Sequence, residues 1–359
     1  MLKSVLFILD SLSGGGAEKM TMRVASSLSN MGYNVFVIVL LGGTEHENVP
    51  DSVKRVYLSE YFDVSGIGYF SANESVKRYA DQVNRIILEE RIECVVSTWW
   101  YSVLMSRYLN SCNKAVWLHS NILLGVPYSE GFPQAILRIF KYLLVVYYNF
   151  RRVKLIFLDH DQADYFPYRM PFLKKAVIPN GIKVEPVRVV KKNYDIAFIG
   201  RLSKEKKPAD ALLAFLKSGL KGRMVFVGDG PERPDLIDIC KKFSAVDRVV
   251  FVGWTDCAYK YMAESKMVVI SSLRETFSLV ALESLMIGTP IVAYDCSPFI
   301  RFLLTSMSQK KYLFSVGDVD GLAGGIKELA FNPYSINRSL IEGYSLDAVT
   351  NSFKKFLNL

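Results

Sequence analysis

The chain has 359 residues, half of them hydrophobic and 22% charged, which suits two well-packed domains of ordinary size and excludes a disordered polymer. A net charge of +9 favours anionic partners: nucleotides, diphosphates, nucleic acid or an acidic membrane surface. The cysteines, Cys94, Cys112, Cys240, Cys257 and Cys296, stand without CxxC spacing, which argues against a zinc site or disulfide framework and for a reducing compartment.

Val5 to Leu9 reads as a buried first strand rather than a signal peptide, because the apolar run is short and ends in Asp10. No run reaches the ~18 apolar residues that a spanning helix needs. Leu12 to Gly16 is a glycine loop, and Ala17 to Met31 has helical spacing, with Met20, Val24, Ala25 and Leu28 on its core face. Gly32 ends that helix and Asn34 to Leu41 is a second strand. This is a βαβ unit whose glycines let backbone N–H groups approach a phosphate closely. A nicotinamide enzyme would carry G-x-G-x-x-G and an acid closing the second strand. The loop here is GGGAEK and the strand ends Val39-Leu40-Leu41-Gly42, which counts against one.

Cys94 to Ser97 is strand-like and precedes Trp99-Trp100-Tyr101. Ala115 to Leu118 is another strand and delivers His119 to a carboxyl-end loop, where α/β sheets place ligands; the alternative is a satisfied structural histidine. The loops over 42–75 and 120–135 carry no readable code. Residues 133–154 carry Arg138, Lys141, Arg151, Arg152 and Lys154 without an acid, interleaved with aromatics that include Tyr147, Tyr148 and Phe150. They read either as a basic, aromatic helix lying on an anionic membrane or as a core helix with a solvated basic end. Leu155 to Leu158 is a strand. The triplet Asp159-His160-Asp161 resembles a metal site, but three adjacent residues cannot all point inward, so no metal is expected. Lys175 to Ile178 leads into the turn Pro179-Asn180-Gly181, and the polar, basic stretch from Lys183 to Asn193 is the interdomain linker.

A second α/β pattern follows. Asp195 to Ile199 is a strand that ends in Gly200-Arg201-Leu202. Arg201 and Lys206, with Lys204 and Lys207 beside them, form a basic loop before the helix that Pro208 opens. Such a loop suits a diphosphate; the alternative is a lysine-rich solvated turn. Met224 to Val227 precedes Gly228-Asp229-Gly230-Pro231, and Val249 to Val252 precedes Gly253-Trp254. Val268 to Ile270 is a buried parallel strand ended by Ser271 and Ser272, with Glu275 at its carboxyl end. The helical run LVALESLMIG carries Glu283 and closes on Gly288; Ile291 to Ala293 is the next strand. Neither acid has a base at helical spacing. Glu283 could accept two hydrogen bonds from a diol such as a ribose, or be a solvated helix position. Ser345 to Leu359 is an amphipathic helix.

The ordered set of GGGAEK, His119, PNG, GRLSKEKKP, VGDGP, FVGW, ETFSLVALE and GTPIVA resembles the retaining glycosyltransferases of the GT-B fold, in glycosyltransferase family four of the bacterial surface-polysaccharide type. The resemblance implies an α/β protein with two Rossmann-like domains whose parallel sheets face each other across a cleft. Residues 1–182 would bind the acceptor, 183–340 the nucleotide-sugar, and 341–359 would be a helix crossing back to the first domain. Arg201 and Lys206 match the pyrophosphate-binding pair, and Glu283 matches the residue that holds the ribose hydroxyls. Glu275 matches the donor-sugar contact, together with backbone N–H groups of Thr276, Phe277 and Ser278. Gly15 and Gly16 match the loop that closes on donor phosphates and acceptor, His119 a loop histidine near the transferred sugar, and Trp254 a neighbour of the nucleobase. Thr276 and Ser278 stand where the family often has glycine; their hydroxyls narrow the sugar pocket and keep the backbone donors.

The implied activity is transfer of a hexose or N-acetylhexosamine from a UDP-linked donor to a lipid-linked or cell-envelope glycan, in O-antigen, capsule or exopolysaccharide synthesis. No separate cofactor, metal or nucleic acid is expected, and the place of work is the cytoplasm, peripheral at the inner face of the cell membrane. A nucleotide-sugar epimerase would need an acid/base pair that the sparse histidines do not supply. A non-catalytic nucleotide-sugar-binding subunit could lose Arg201, Lys206, Glu275 and Glu283, and all are present.

Overall fold

The computed structural model describes residues 3–12, 16–42, 50–58, 74–98, 100–111, 113–119, 150, 152–165, 173–183 and 191–359. Two units form: Met1–Gly181 with Leu346–Leu359, and Ile182–Ser345.

The first unit runs β1 (Ser4–Leu9), α1 (Gly16–Asn30), β2 (Asn34–Val39), β3 (Val53–Tyr57), α2 (Glu74–Glu89), β4 (Cys94–Ser97), α3 (Trp100–Met105), β5 (Asn113–Leu118), β6 (Lys154–Phe157), α4 (His160–Tyr165) and β7 (Lys175–Val177). Its strands form one sheet of seven in the order β3-β2-β1-β4-β5-β6-β7, every pairing parallel. Parallel strands are covered on both faces, which is why β1 and β4 are apolar but for a serine each, with every residue buried. β3 lies inside the stretch read as loop. It is an edge strand paired to β2 from Val53 to Tyr57, and its Lys54 and Arg55 hide the strand signal. α2 buries Val76, Tyr79, Ala80, Val83 and Ile87, a helical stripe against β1, β2 and β4.

Of the basic, aromatic stretch 133–154, only 150 and 152–154 lie within the described residues. Phe150 packs with Val116, Leu155 and Phe157 in the core, and Lys154 lies on β6. Residues 120–149 and 151 lie outside the described residues. Among the described residues, no helix is long and apolar enough to cross a membrane.

The second unit runs β8 (Tyr194–Ile199), α5 (Pro208–Lys217), β9 (Met224–Val227), α6 (Arg233–Lys242), β10 (Val249–Gly253), α7 (Ala258–Ala263), β11 (Ser265–Ile270), α8 (Leu279–Ile287), β12 (Ile291–Tyr294), α9 (Pro298–Ser306), β13 (Leu313–Phe314) and α10 (Val319–Phe331). Its six strands are parallel in the order β10-β9-β8-β11-β12-β13. That is the doubly wound order in which the winding reverses between β8 and β11, and ligands of such sheets sit at the carboxyl ends flanking the reversal.

The last helix, α11 (Leu346–Leu357), belongs to the first unit. It buries Val349, Phe353 and Leu357, and Phe353 meets Trp117 edge-on with ring centroids 4.5 Å apart. Its carboxyl end is capped from elsewhere in that unit: Lys154 Nζ donates to the Phe356 carbonyl at 2.9 Å, Asn113 Nδ2 to that of Leu357 at 2.6 Å and Lys3 Nζ to that of Asn358 at 3.1 Å. Cations there complement the helix dipole. The glycine of the Pro179-Asn180-Gly181 turn is needed for this packing, since a Cβ at Gly181 would lie 2.9 Å from Val349 Cβ.

Candidate active site

Arg201, Lys206 and Glu275 leave the carboxyl ends of β8 and β11, the strands that flank the reversal. Two segments are stitched together there. Ser271 Oγ lies 3.0 Å from the Lys206 carbonyl and 2.8 Å from that of Lys207, so its single proton is shared. Leu273 N–H donates to the Glu205 carbonyl at 2.8 Å. Lys207 turns with a positive φ of 45°, a costly backbone for a side-chain-bearing residue and one that the surrounding bonds must impose. Its ammonium is taken by Asp210 at 2.7 Å.

Lys206 Nζ donates to Glu275 Oε1 at 2.7 Å, and Ser272 Oγ donates to the same oxygen at 2.9 Å. Glu275 therefore has a neutralising base, though none at helical spacing. It comes from 69 residues away and is visible only in the fold. Glu275 N–H donates to the Cys296 carbonyl at 2.8 Å. The buried Cys296 thiol is pushed up to about 12 by burial, with the Glu275 charge adding to the effect, so it stays protonated. Arg201 is exposed, and its guanidinium has no partner among the described residues.

Thr276, Phe277 and Ser278 lead into α8. The Phe277 ring stacks on Phe299 with centroids 3.8 Å apart, and Tyr344 meets Phe299 edge-on at 5.3 Å. That ring is committed to the core, and its backbone is the part a ligand could use. The Thr276 carbonyl accepts from Ser297 Oγ at 3.5 Å. Ser278 precedes α8 with a positive φ of 54°, and its buried hydroxyl has no partner among the described residues. On α8 itself, Glu283 Oε1 accepts from the Tyr259 hydroxyl at 3.0 Å. Trp254 follows β10 and is 55% exposed. The two glycines of VGDGP allow a close crossing: a Cβ at Gly228 would collide with the Gly200 carbonyl, and one at Gly230 with that of Leu202. The β9 loop is thus laid directly on the loop that carries Arg201.

In the first unit, the winding reverses between β1 and β4. Asp10 ends β1 there, buried, and accepts the backbone N–H groups of Tyr101 and Ser102 at 2.8 Å each. Burial pushes its carboxyl up to about 6, against the lowering effect of those two bonds. Gly16 is the first residue of α1; Gly15 lies outside the described residues. His119 leaves β5 with 9% exposure, its ring centroid 4.3 Å from that of Trp117. Burial lowers its pKa to about 3, so the ring is neutral at ordinary pH, and Nε2 has no partner among the described residues.

Asp10, Tyr259 and Ser271 were not singled out from the sequence, although polar Ser271-Ser272 after a buried strand was a usable signal. Nothing local marks Tyr259.

Residues 182–343 match the family described as glycosyl transferases group 1. The matched residues fall within the second unit, Ile182–Ser345. Over 99% of this chain and 100% of the relative, an uncharacterized glycosyltransferase of Haemophilus influenzae is 24% identical. The N-acetylgalactosamine-N,N'-diacetylbacillosaminyl-diphospho-undecaprenol 4-alpha-N-acetylgalactosaminyltransferase of Campylobacter jejuni is 29% identical over 34% of this chain and 35% of its own length. Among solved structures, HepE of Anabaena in complex with UDP and glucose matches with a TM-score of 0.73 at 17% identity, covering 99% of both chains. The match thus falls on the second unit of a two-unit α/β chain with the GT-B fold.

Proposed function

We propose that this chain is a retaining glycosyltransferase that moves a hexose or N-acetylhexosamine from a UDP-linked donor to a lipid-linked or other cell-envelope glycan at the inner face of the membrane. The observation that carries the reading is the Lys206–Glu275 pair at the point where the second sheet reverses, beside the helix that bears Glu283. A cation and a hydroxyl-binding carboxylate lie together where a diphosphate and its sugar would meet. The UDP and glucose bound by HepE, and the diphospho-undecaprenol in the name of the Campylobacter protein, support the donor and acceptor classes. The basic residues Arg138, Lys141, Arg151 and Arg152 of the aromatic-rich stretch support work at an anionic surface.

Breaking the bond from the anomeric carbon to phosphate leaves negative charge on the nucleoside diphosphate and positive character on the sugar. Arg201, Lys206 and the N–H groups that open α8 stabilise the departing charge as it develops, which is where catalysis lies. Glu275 accepts from sugar hydroxyls and Glu283 from those of the ribose. The acceptor hydroxyl attacks from the face the phosphate leaves, and its proton passes to the departing phosphate oxygen, so the configuration is kept. The cationic loop takes the part a divalent metal plays in other transferases. His119, a neutral ring at ordinary pH, would be the loop histidine near the transferred sugar.

The test is transfer by the purified chain from UDP-glucose, UDP-galactose and their N-acetylhexosamine counterparts to polyprenyl-diphosphate-linked glycans, with and without EDTA. Transfer that survives EDTA, gives an α-linked product and is lost in Lys206→Ala and Glu283→Ala is the expected result. Undiminished transfer by those variants would end the mechanism. An epimerised donor without acceptor, or binding without release of UDP when acceptor is added, would replace it with an epimerase or a binding subunit.

A further inference from the structure

We infer that Tyr259 is a positioning residue for Glu283 and sets how strongly the site demands a ribonucleotide over a deoxyribonucleotide. The inference rests on the reading of Glu283 as the ribose-holding carboxylate. Glu283 sits half-buried on α8 between residues that are not: Leu282, Ser284 and Leu285 are all 0% exposed. The helix is therefore fixed, but a glutamate side chain has three rotatable bonds and would spread its carboxylate over several rotamers. The Tyr259 hydroxyl restrains it by donating to Oε1 at 3.0 Å.

Tyr259 is itself held. It lies on α7, where Met262 and Ala263 are buried. Thr289 Oγ1, just past α8, donates to the Met262 carbonyl at 3.0 Å, and Lys192 Nζ donates to that of Ala263 at 2.8 Å. At the other end, Cys257 N–H donates to Thr255 Oγ1 at 3.1 Å, closing the turn after Trp254. The phenol thus links the segment carrying Trp254 to the helix carrying Glu283. A vicinal diol offers two O–H donors at fixed spacing, and a carboxylate reads both only when its plane is held. A deoxyribose lacks one donor, and a rigid acceptor rejects it more strongly than one free to re-aim.

The experiment uses the full chain and calorimetric Kd values for whichever of UDP, GDP, ADP and CDP wild type binds tightest, for its 2′-deoxy counterpart and for inorganic pyrophosphate. Wild type is expected to prefer the ribonucleotide by about tenfold or more. Tyr259→Phe should shrink that preference to about threefold or less and leave pyrophosphate binding unchanged, as should Glu283→Ala. Pyrophosphate binding serves as the folding control for both variants. A wild-type ratio in Tyr259→Phe with the ratio lost in Glu283→Ala overturns the inference alone. Loss of pyrophosphate binding in Tyr259→Phe also overturns it, since the phenol would then be holding the unit together rather than aiming one carboxylate. No ribose preference in wild type, or an intact one in Glu283→Ala, overturns the ribose reading and the inference with it.

Discussion

Lys206 and Glu275 neutralise each other, so on the proposed reading an incoming diphosphate competes with Glu275 for the ammonium. Glu275→Ala is therefore expected to hold UDP as tightly as wild type or more so, while transfer falls about a hundredfold or more because the sugar loses its acceptor group. Lys206→Ala should weaken UDP binding and transfer together. Titration of UDP alongside initial rates separates the two variants; parallel losses in both would contradict the competition. Two buried groups of the first unit give a pH signature. Asp10 has a pKa of about 6 folded against 3.8 unfolded, so the folded chain takes up the proton first and stability rises as pH falls from 6 towards 3.8. His119 has about 3 folded against 6.5 unfolded, so the unfolded chain takes it up first and stability falls as pH drops below 6.5. Each slope is about 1.4 kcal/mol per pH unit, and between pH 6 and 3.8 they oppose each other. Asp10→Asn should make the unit acid-sensitive over that range and His119→Gln should make it firmer in acid, as read by hydrogen exchange at β5 amides. The places of Arg201, Lys206, Glu275 and Glu283 at strand ends or on a helix were legible from the motifs in order. Their partners were not: Lys206 reaches Glu275 across 69 residues and Tyr259 belongs to no motif.

At the scale of elements, β1, β8, β9 and β11 could be read directly because doubly covered strands carry apolar runs, here Val5–Leu9, Ile196–Ile199, Met224–Val227 and Met267–Ile270. β3 could not, since an edge strand with Lys54 and Arg55 looks like a loop, and α2 was passed over although Val76, Tyr79, Val83 and Ile87 repeat at helical spacing. The glycines of VGDGP were read only as following the strand, and the fold uses them for contact. Gly228 has a φ of +129°, which L side chains rarely adopt, and its missing Cβ makes room for the Gly200 carbonyl. Gly228→Ala should lower the melting temperature of the second unit by about 5 °C or more and displace the Arg201 loop, with UDP binding lost beyond the stability effect. An unchanged melt would mean that the β9 loop can yield without cost.

Over the whole molecule, the chain returns after the second unit to complete the first. Phe353→Ala should cost the first unit about 3–5 kcal/mol, because the ring fills the space against buried Trp117, and should leave the second unit's melt in place. Urea melts followed by hydrogen exchange distinguish the two units. The return of α11 also reverses the usual order of maturation during synthesis. The second unit has all its residues, Ile182–Ser345, before Leu346 is made, whereas the first unit waits for them before Trp117 and the strand ends beside it are covered. At ribosomal speeds that wait lasts on the order of ten to thirty seconds. The half made earliest is thus the half finished last, and its apolar side is the surface a chaperone would meet on the nascent chain.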